Sequence, residues 1–125
     1  MALDFYLEAN ETETECICAC CDNVHIRKYI PQLYWANITH NLGIMADVAG
    51  IYDCLWRPDE HGIQSAQQII EILEKGLKDM KENPDKFTPF TPSNGWGTLD
   101  GLIKFTEKVL HACNEYPKAK IRISR

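Results

Sequence analysis

The sequence has no long hydrophobic run and no excess of basic residues, and each absence excludes a class of protein. No apolar segment approaches the roughly eighteen residues that a transmembrane helix needs, and the opening MALDFYLEANE lacks the basic and apolar regions of a signal peptide. Lys and Arg number 13 against 18 Asp and Glu, for a net charge of −5, whereas proteins that follow nucleic-acid phosphates usually carry a basic stripe. We therefore expect a cytoplasmic protein that neither enters membranes nor binds nucleic acid.

The length and the hydrophobic content predict one compact domain. The chain has 125 residues, of which 45% are hydrophobic, and this size is enough to bury a core of its own. We find no internal repeat and no low-complexity linker. We therefore expect a single domain over residues 1–125, with a cysteine-rich β-hairpin at about residues 14–30, a helical part at about residues 37–116 and a C-terminal strand at about residues 118–124.

Alternating apolar and polar residues predict strands near both ends of the chain. Leu3, Phe5 and Leu7 alternate with polar residues, which is the period of a half-buried strand. The segment ECICACCDNVHIRKYI fits two further strands around a turn at residues 21–23, and the ending KAKIRISR fits an amphipathic strand. The C-terminal strand is expected to join the N-terminal strands in one sheet.

Helical periodicity predicts three helices between these strands. The first is expected at about residues 38–49, with Asn37 or Thr39 as the N-cap and Gly50 at its end. The second is expected at about residues 65–82, and the third begins after Thr98. Their apolar stripes are Ala66, Ile69, Ile70, Leu73, Leu77 and Met80, and then Leu99, Leu102, Ile103, Thr106, Val109, Leu110 and Cys113. The segment NPDKFTPFTPSNGWG between them is typical of a loop. We therefore predict an α+β fold in which about three helices pack on one face of a small, mainly antiparallel sheet.

The cysteines fall into two groups with different expected roles. In a cytoplasmic chain all six should be reduced. Cys54 and Cys113 lie in apolar patterns and are expected to be packing residues, while Cys16, Cys18, Cys20 and Cys21 crowd into the hairpin.

The hairpin could bind zinc. The spacing Cys18-x-x-Cys21 lets a tight turn direct two thiolates at one metal ion, and Cys16 and His25 could complete the site from the adjoining strands. His40 is an alternative fourth ligand. A second distant ligand pair is missing from the sequence, so a hairpin of reduced thiols that pack as small hydrophobic residues is the competing interpretation.

The segment ANITHNL places four polar residues at the predicted start of the first helix. One of them suffices as a cap. Together Asn37, Thr39, His40 and Asn41 could also bind an anion, because free amides and side-chain donors converge at a helix N-terminus. A structural cap and a ligand site both remain open, and His40 is a candidate general acid or base.

Two further segments could supply the rest of a ligand site. LWRP places the Trp56 indole beside the Arg57 guanidinium, which suits a carboxylate or a phosphate. NGWG contains Asn94 and Trp96, and its glycines could expose the indole. A Trp buried beside a turn is the alternative for both. We predict that His40, Asn41, Arg57 and Trp96 line one pocket.

Four segments carry a resemblance to a known family. NITHNL, AGIYDCLWRP, NGWGT and CNEYPKAKIRISR, in this order, resemble a family of small uncharacterised proteins of phage and bacterial genomes. The resemblance covers most of the chain from Ala36 onward. It implies a phage or mobile-element setting in the bacterial cytosol and brings no activity with it.

Three functions are compatible with these patterns. The favoured one is a binding protein that captures a small anionic ligand or a host protein, with modulation of host defence as a possible purpose. The alternative is a small enzyme with His40 as acid or base and Arg57 stabilising an anion, which would need both to meet a carboxylate such as Asp53 in one pocket. A structural zinc-knuckle interaction protein is the third. No nucleophile and base pair or phosphate-binding glycine pattern occurs at a diagnostic spacing.

Overall fold

The described residues form five strands and five helices. The computed structural model describes residues 2–9, 12–17, 24–95 and 97–125, with residues 12–17 and 24–29 described by their backbone alone. The strands are β1 (Ala2–Glu8), β2 (Thr12–Ile17), β3 (Val24–Tyr29), β4 (Gln32–Thr39) and β5 (Lys120–Ser124). The helices are α1 (Gly43–Val48), α2 (Tyr52–Trp56), α3 (Ile70–Glu82), α4 (Pro84–Phe87) and α5 (Leu99–Glu115). The predicted α+β fold is confirmed, with more helices than expected.

The main sheet has three antiparallel strands in the order β4-β1-β5. Phe5 in the central strand pairs with Ala36 on one side and with Ile123 on the other. Leu3, Phe5 and Leu7 are fully buried, as their alternation predicts. The C-terminal strand therefore does join the N-terminal strand, and helices cover one face of the sheet.

The hairpin of β2 and β3 forms a separate two-stranded sheet. It adjoins the end of the β1–β4 pair. Between the two pairs of strands, the backbone N–H of Ala9 donates to the carbonyl of Pro31 at 2.9 Å. The hairpin thus lengthens that pair and adds no neighbour to the main sheet. Its expected turn at residues 21–23 lies outside the described residues.

The first helix starts later than expected. Residues 32–39 form strand β4, and a short 3-10 turn at His40–Leu42 leads into α1 at Gly43. The prediction that a helix begins near residue 38 is wrong. Its end is as predicted, because α1 stops at Val48 and Gly50 takes a positive φ of 77°, a conformation that glycine adopts without strain.

Helices α3 and α5 supply most of the remaining core. Leu73 and Met80 of α3, and Leu102 and Val109 of α5, are fully buried. The Thr98 hydroxyl accepts a hydrogen bond from the N–H of Gly101 at 3.0 Å, which confirms the predicted cap. Within the described residues, no helix has the length and apolar character needed to cross a bilayer.

The segment before α5 is more ordered than a loop. It contains α4 and a 3-10 turn at Thr88–Phe90. Pro84 begins α4, where its missing N–H costs nothing, and Phe87 is fully buried. The prediction of a plain loop is therefore wrong for its first half.

Candidate functional site

A groove lies between the turn after β4 and the first two helices. Its volume is about 720 Å³, which is within the range of small-molecule sites. The residues lining it are His40, Gly43, Ile44, Asp47, Tyr52, Asp53, Trp56, Arg57 and Arg125.

An aromatic pair forms one wall of the groove. Tyr52 and Trp56 stand one helical turn apart on α2, so their rings lie over the same face. The two rings are stacked, with centroids 5.4 Å apart and an angle of 12° between their planes. Trp56 is only 2% exposed. The indole therefore anchors α2 in the core and supports Tyr52 at the groove.

The imidazole of His40 is held by this indole. Trp56 Nε1 donates a hydrogen bond to His40 Nδ1 at 3.0 Å. An acceptor nitrogen carries no proton, so neutral His40 has its proton on Nε2. The ring is half-buried, and Nε2 is thus the atom with which it could donate to a ligand.

Besides His40, the segment ANITHNL has three polar residues, Asn37, Thr39 and Asn41, and only Thr39 acts as a cap. The Thr39 hydroxyl accepts from the backbone N–H of Asn41 at 3.3 Å. Asn37 lies instead in β4 and donates to Asp4 at 2.8 Å, so its assignment as a cap is wrong. Asn41 is exposed and does not line the groove. Because α1 has six residues, its dipole is small, and an anion would depend on charged side chains.

Two arginines reach the groove from opposite ends of the sequence. Arg57 Nη1 contacts Glu60 Oε2 at 2.8 Å, and hydrogen bonds to Glu60 and then to Tyr52 raise the pKa of its guanidinium. Arg125 Nη1 donates to the carbonyl of Trp56 at 2.7 Å. Each guanidinium has five N–H donors, so these bonds leave donors for a ligand.

A carboxylate outside the groove fixes Arg125. Its Nη1 donates to Asp59 Oδ1 at 3.0 Å and its Nη2 to Asp59 Oδ2 at 3.4 Å. Hydrogen bonding to Arg125 is the main reason that the pKa of Asp59 is lowered. Sequence reasoning missed Arg125, because it looked like one more basic residue of an amphipathic strand.

Two carboxylates also line the groove. Asp47 projects from α1 and Asp53 from α2, and Asp53 Oδ1 lies 3.4 Å from His61 Nε2. Two arginines and two aspartates therefore face the same space, and their formal charges cancel. Such a lining orients a polar ligand more than it attracts charge from a distance.

The predicted site residues are partly brought together. His40, Trp56 and Arg57 line the groove along with Asp53, while Asn94 is exposed and outside its lining. Trp96 lies outside the described residues. Its neighbour Gly97 has a φ of 113° and packs on the turn that carries His40, where an added Cβ would come within 2.8 Å of Leu42.

The zinc hypothesis stays a prediction. The hairpin register pairs Cys16 with His25, and Cys18 and Cys21 lie outside the described residues. Among the residues that the structure describes, no group of three or more potential metal ligands occurs.

The two remaining cysteines have the packing role expected of them. Cys54 and Cys113 are buried and unpaired. Burial raises the pKa of each thiol to about 12. Neither is therefore a nucleophile at neutral pH.

Comparison with known proteins gives no further guide. No family model, no curated protein and no solved structure matches this chain. The functional conclusion thus depends on the groove.

Proposed function

We propose that this protein binds a small ligand that has an anionic group and a flat ring. The observation that carries the proposal is that Arg57, Arg125 and His40 line one groove beside the Tyr52–Trp56 pair. Guanidinium groups bind carboxylates and phosphates through paired hydrogen bonds. The combination of an aromatic wall and a few polar groups is typical of small-molecule sites.

The charges of the lining favour one orientation of the ligand. The anionic group binds the two guanidinium groups, which retain N–H donors beyond those used by Glu60 and Asp59. Asp47 and Asp53 also line the groove and repel the anionic group, which therefore binds at the guanidinium groups. The ring then lies against Tyr52 and against Ile44, whose side chain is 67% exposed.

The cellular setting is part of the same proposal. The family resemblance supports a protein of the bacterial cytosol in a phage or mobile-element context. Capture of a host metabolite would modulate a host process, including host defence. A host protein with an acidic or aromatic side chain at its surface could occupy the same groove.

A small enzyme is the second candidate function. The enzyme hypothesis requires that His40, Arg57 and a carboxylate such as Asp53 meet in one pocket, and all three line this groove. His40 Nε2 would act as the proton donor and Arg57 would stabilise the anion that develops. Binding is favoured, since the sequence has no nucleophile and base pair at a diagnostic spacing.

Isothermal titration calorimetry with phenyl phosphate tests the binding proposal. This probe joins an anion to a flat ring. Arg57→Gln should weaken binding by at least about tenfold, because a hydrogen bond to a charged group contributes about 1.5–3 kcal/mol. Arg122→Gln is the matched control, since Arg122 lies in β5, outside the groove lining, and contacts Glu8 and Tyr6.

Absence of binding to the wild type, or an equal loss of affinity in both variants, would overturn the binding proposal.

The enzyme hypothesis is tested with p-nitrophenyl phosphate as the substrate. Turnover that is lost in His40→Gln and retained in His61→Gln would favour catalysis over binding alone.

A further inference from the structure

The two edges of the main sheet differ in how they are covered. At the β5 edge, the N–H of Ile121 donates to the carbonyl of Gln64 and the N–H of Ala66 donates to the carbonyl of Ala119, both at 2.9 Å. The chain thus covers the beginning of this edge itself. At the β4 edge, no backbone hydrogen bond between described residues joins residues 32–38 to any segment other than β1.

The open edge lacks the usual protection against pairing. Exposed edge strands normally carry a charged residue or a proline. Strand β4 has the sequence QLYWANIT, eight residues without a charge or a proline. At its centre Trp35 is 52% exposed, with its indole N–H bonded to Asp4 at 3.3 Å. An uncharged strand of this length is a template for another strand.

We propose that β4 pairs antiparallel with β4 of a second copy of this chain, which forms a continuous six-stranded sheet. A strand without charges brings no like charges together when it pairs with itself. An acidic or basic partner peptide, by contrast, would find no complementary charge on β4. The second copy is therefore the occupant that the edge fits best.

The symmetry of such a pair fixes which residues meet. Two copies related by a twofold axis perpendicular to the sheet keep their helices on the same side. Residues then pair only with residues an even number of positions away, because successive side chains alternate between faces. In the two allowed registers that overlap most of β4, the exposed side chain of Trp35 lies opposite the same residue, or opposite Asn37, of the second copy.

The ends of β4 limit the pairing to this strand. Pro31 precedes it and has no N–H to donate, and the chain turns away at His40. No residue that lines the groove belongs to β4. The dimer can therefore exist whether or not the groove binds a ligand.

Light scattering on a size-exclusion column, across a series of protein concentrations, tests the dimer. The wild type should approach twice the 14.3 kDa mass of one chain. Trp35→Lys should give the mass of one chain, because it places two ammonium groups near the axis. Ile72→Lys adds the same charge at an exposed apolar position of α3 and should remain a dimer. An equimolar mixture of Trp35→Lys and Trp35→Glu should restore the dimer.

A wild type that stays monomeric at every concentration would overturn the inference, and so would a Trp35→Lys variant that remains a dimer. Circular dichroism verifies that each variant is folded. If Trp35→Lys does not fold, Asn37→Lys replaces it, since Asn37 is exposed two residues further along β4, on the same face. The same two results apply to that variant.

Discussion

The hydrogen bond from Trp56 to His40 determines what the imidazole can do in the groove. With Nδ1 accepting at 3.0 Å, the ring is fixed and Nε2–H is its available donor. The indole therefore orients the ring so that Nε2 faces a ligand, which suits ligand binding.

The buried thiols lead to a prediction about reactivity. Burial raises the pKa of Cys54 and Cys113 to about 12, so at neutral pH both are thiols, and only thiolates react quickly. Iodoacetamide should leave these two unmodified in the folded protein and should modify them after denaturation. Mass spectrometry of the digested protein measures each site. Rapid modification of either thiol in the folded protein would show that the cysteine is not packed as described.

The same raised pKa values set a direction for stability at high pH. In the unfolded chain these thiols ionise near their ordinary pKa of 9.0, and in the folded protein only near 12. The buried thiols therefore leave stability unchanged below pH 9, and the free energy of unfolding falls as the pH rises from 9 toward 12.

At the scale of elements, β4 is the strand that the sequence pattern did not predict. Its inward positions include Ala36, which is small and half-buried, and Ile38, the only buried residue of the strand. Trp35 adds an exposed apolar side chain on the other face. The apolar alternation of β4 is therefore weak. The polar residues at its end resemble a helix N-terminus, so the helix was predicted to begin too early in the sequence.

Helices α3 and α5 were predictable because each buries a continuous apolar stripe. The predicted start of α3 near residue 65 is wrong, however, since a 3-10 turn at Ala66–Gln68 precedes the helix, which begins at Ile70. The turn of α4 was not predictable, because Pro and Thr dominate its surroundings and a single buried ring, Phe87, stabilises it. Gly76 was also missed. It lies inside α3 where a Cβ would come within 2.9 Å of the Ala49 carbonyl, and this close packing depends on tertiary contacts that no local pattern reveals.

The core of α3 can be tested by truncation. Leu73→Ala should lower the free energy of unfolding by about 2–5 kcal/mol, because Leu73 is fully buried. Leu110→Ala on α5 should cost less, because its side chain is only half-buried. Urea denaturation measures both. Glu74→Ala, at the exposed neighbouring position, should change stability by about 0.5 kcal/mol or less; equal effects at positions 73 and 74 would show that the buried face of α3 is misassigned.

The hairpin is tested by metal analysis. If Cys16, Cys18, Cys21 and His25 bind zinc, protein purified without added metal should contain about one equivalent, since closed thiolate sites bind zinc tightly. Cys18→Ser should lose the metal, and Cys54→Ala should keep it. A wild type that is folded and free of zinc would end the hypothesis.

At the scale of the whole molecule, the groove joins residues that are far apart in sequence. Arg125 contacts the carbonyl of Trp56 across 69 positions. This contact exists because β5 pairs with β1 and ends beside α2. His40, Trp56 and Arg57 could be nominated from their own short motifs, whereas Arg125, Tyr52 and Asp47 depend on the topology.

Some residues predicted to bind a ligand from their local sequence do not line the groove and have other roles. Thr39 serves as a cap and Asn37 contacts Asp4. A polar cluster in one segment was therefore a mixture of a cap, a sheet contact and one groove residue. Only the contact between α2 and the turn after β4, where Trp56 donates to His40, separates these roles.

Nitrogen–proton correlation spectra of the tryptophan indoles, recorded during a titration with phenyl phosphate, test the central claim most directly. The chain has three tryptophans, and single Trp→Phe variants assign their signals. We expect the Trp56 signal to shift and saturate, because its N–H is bonded to His40 in the groove, and the Trp35 signal to stay constant. The Trp96 signal should shift with that of Trp56 if the predicted pocket includes it. A constant Trp56 signal, or a shift confined to Trp35, would contradict the groove as the binding site.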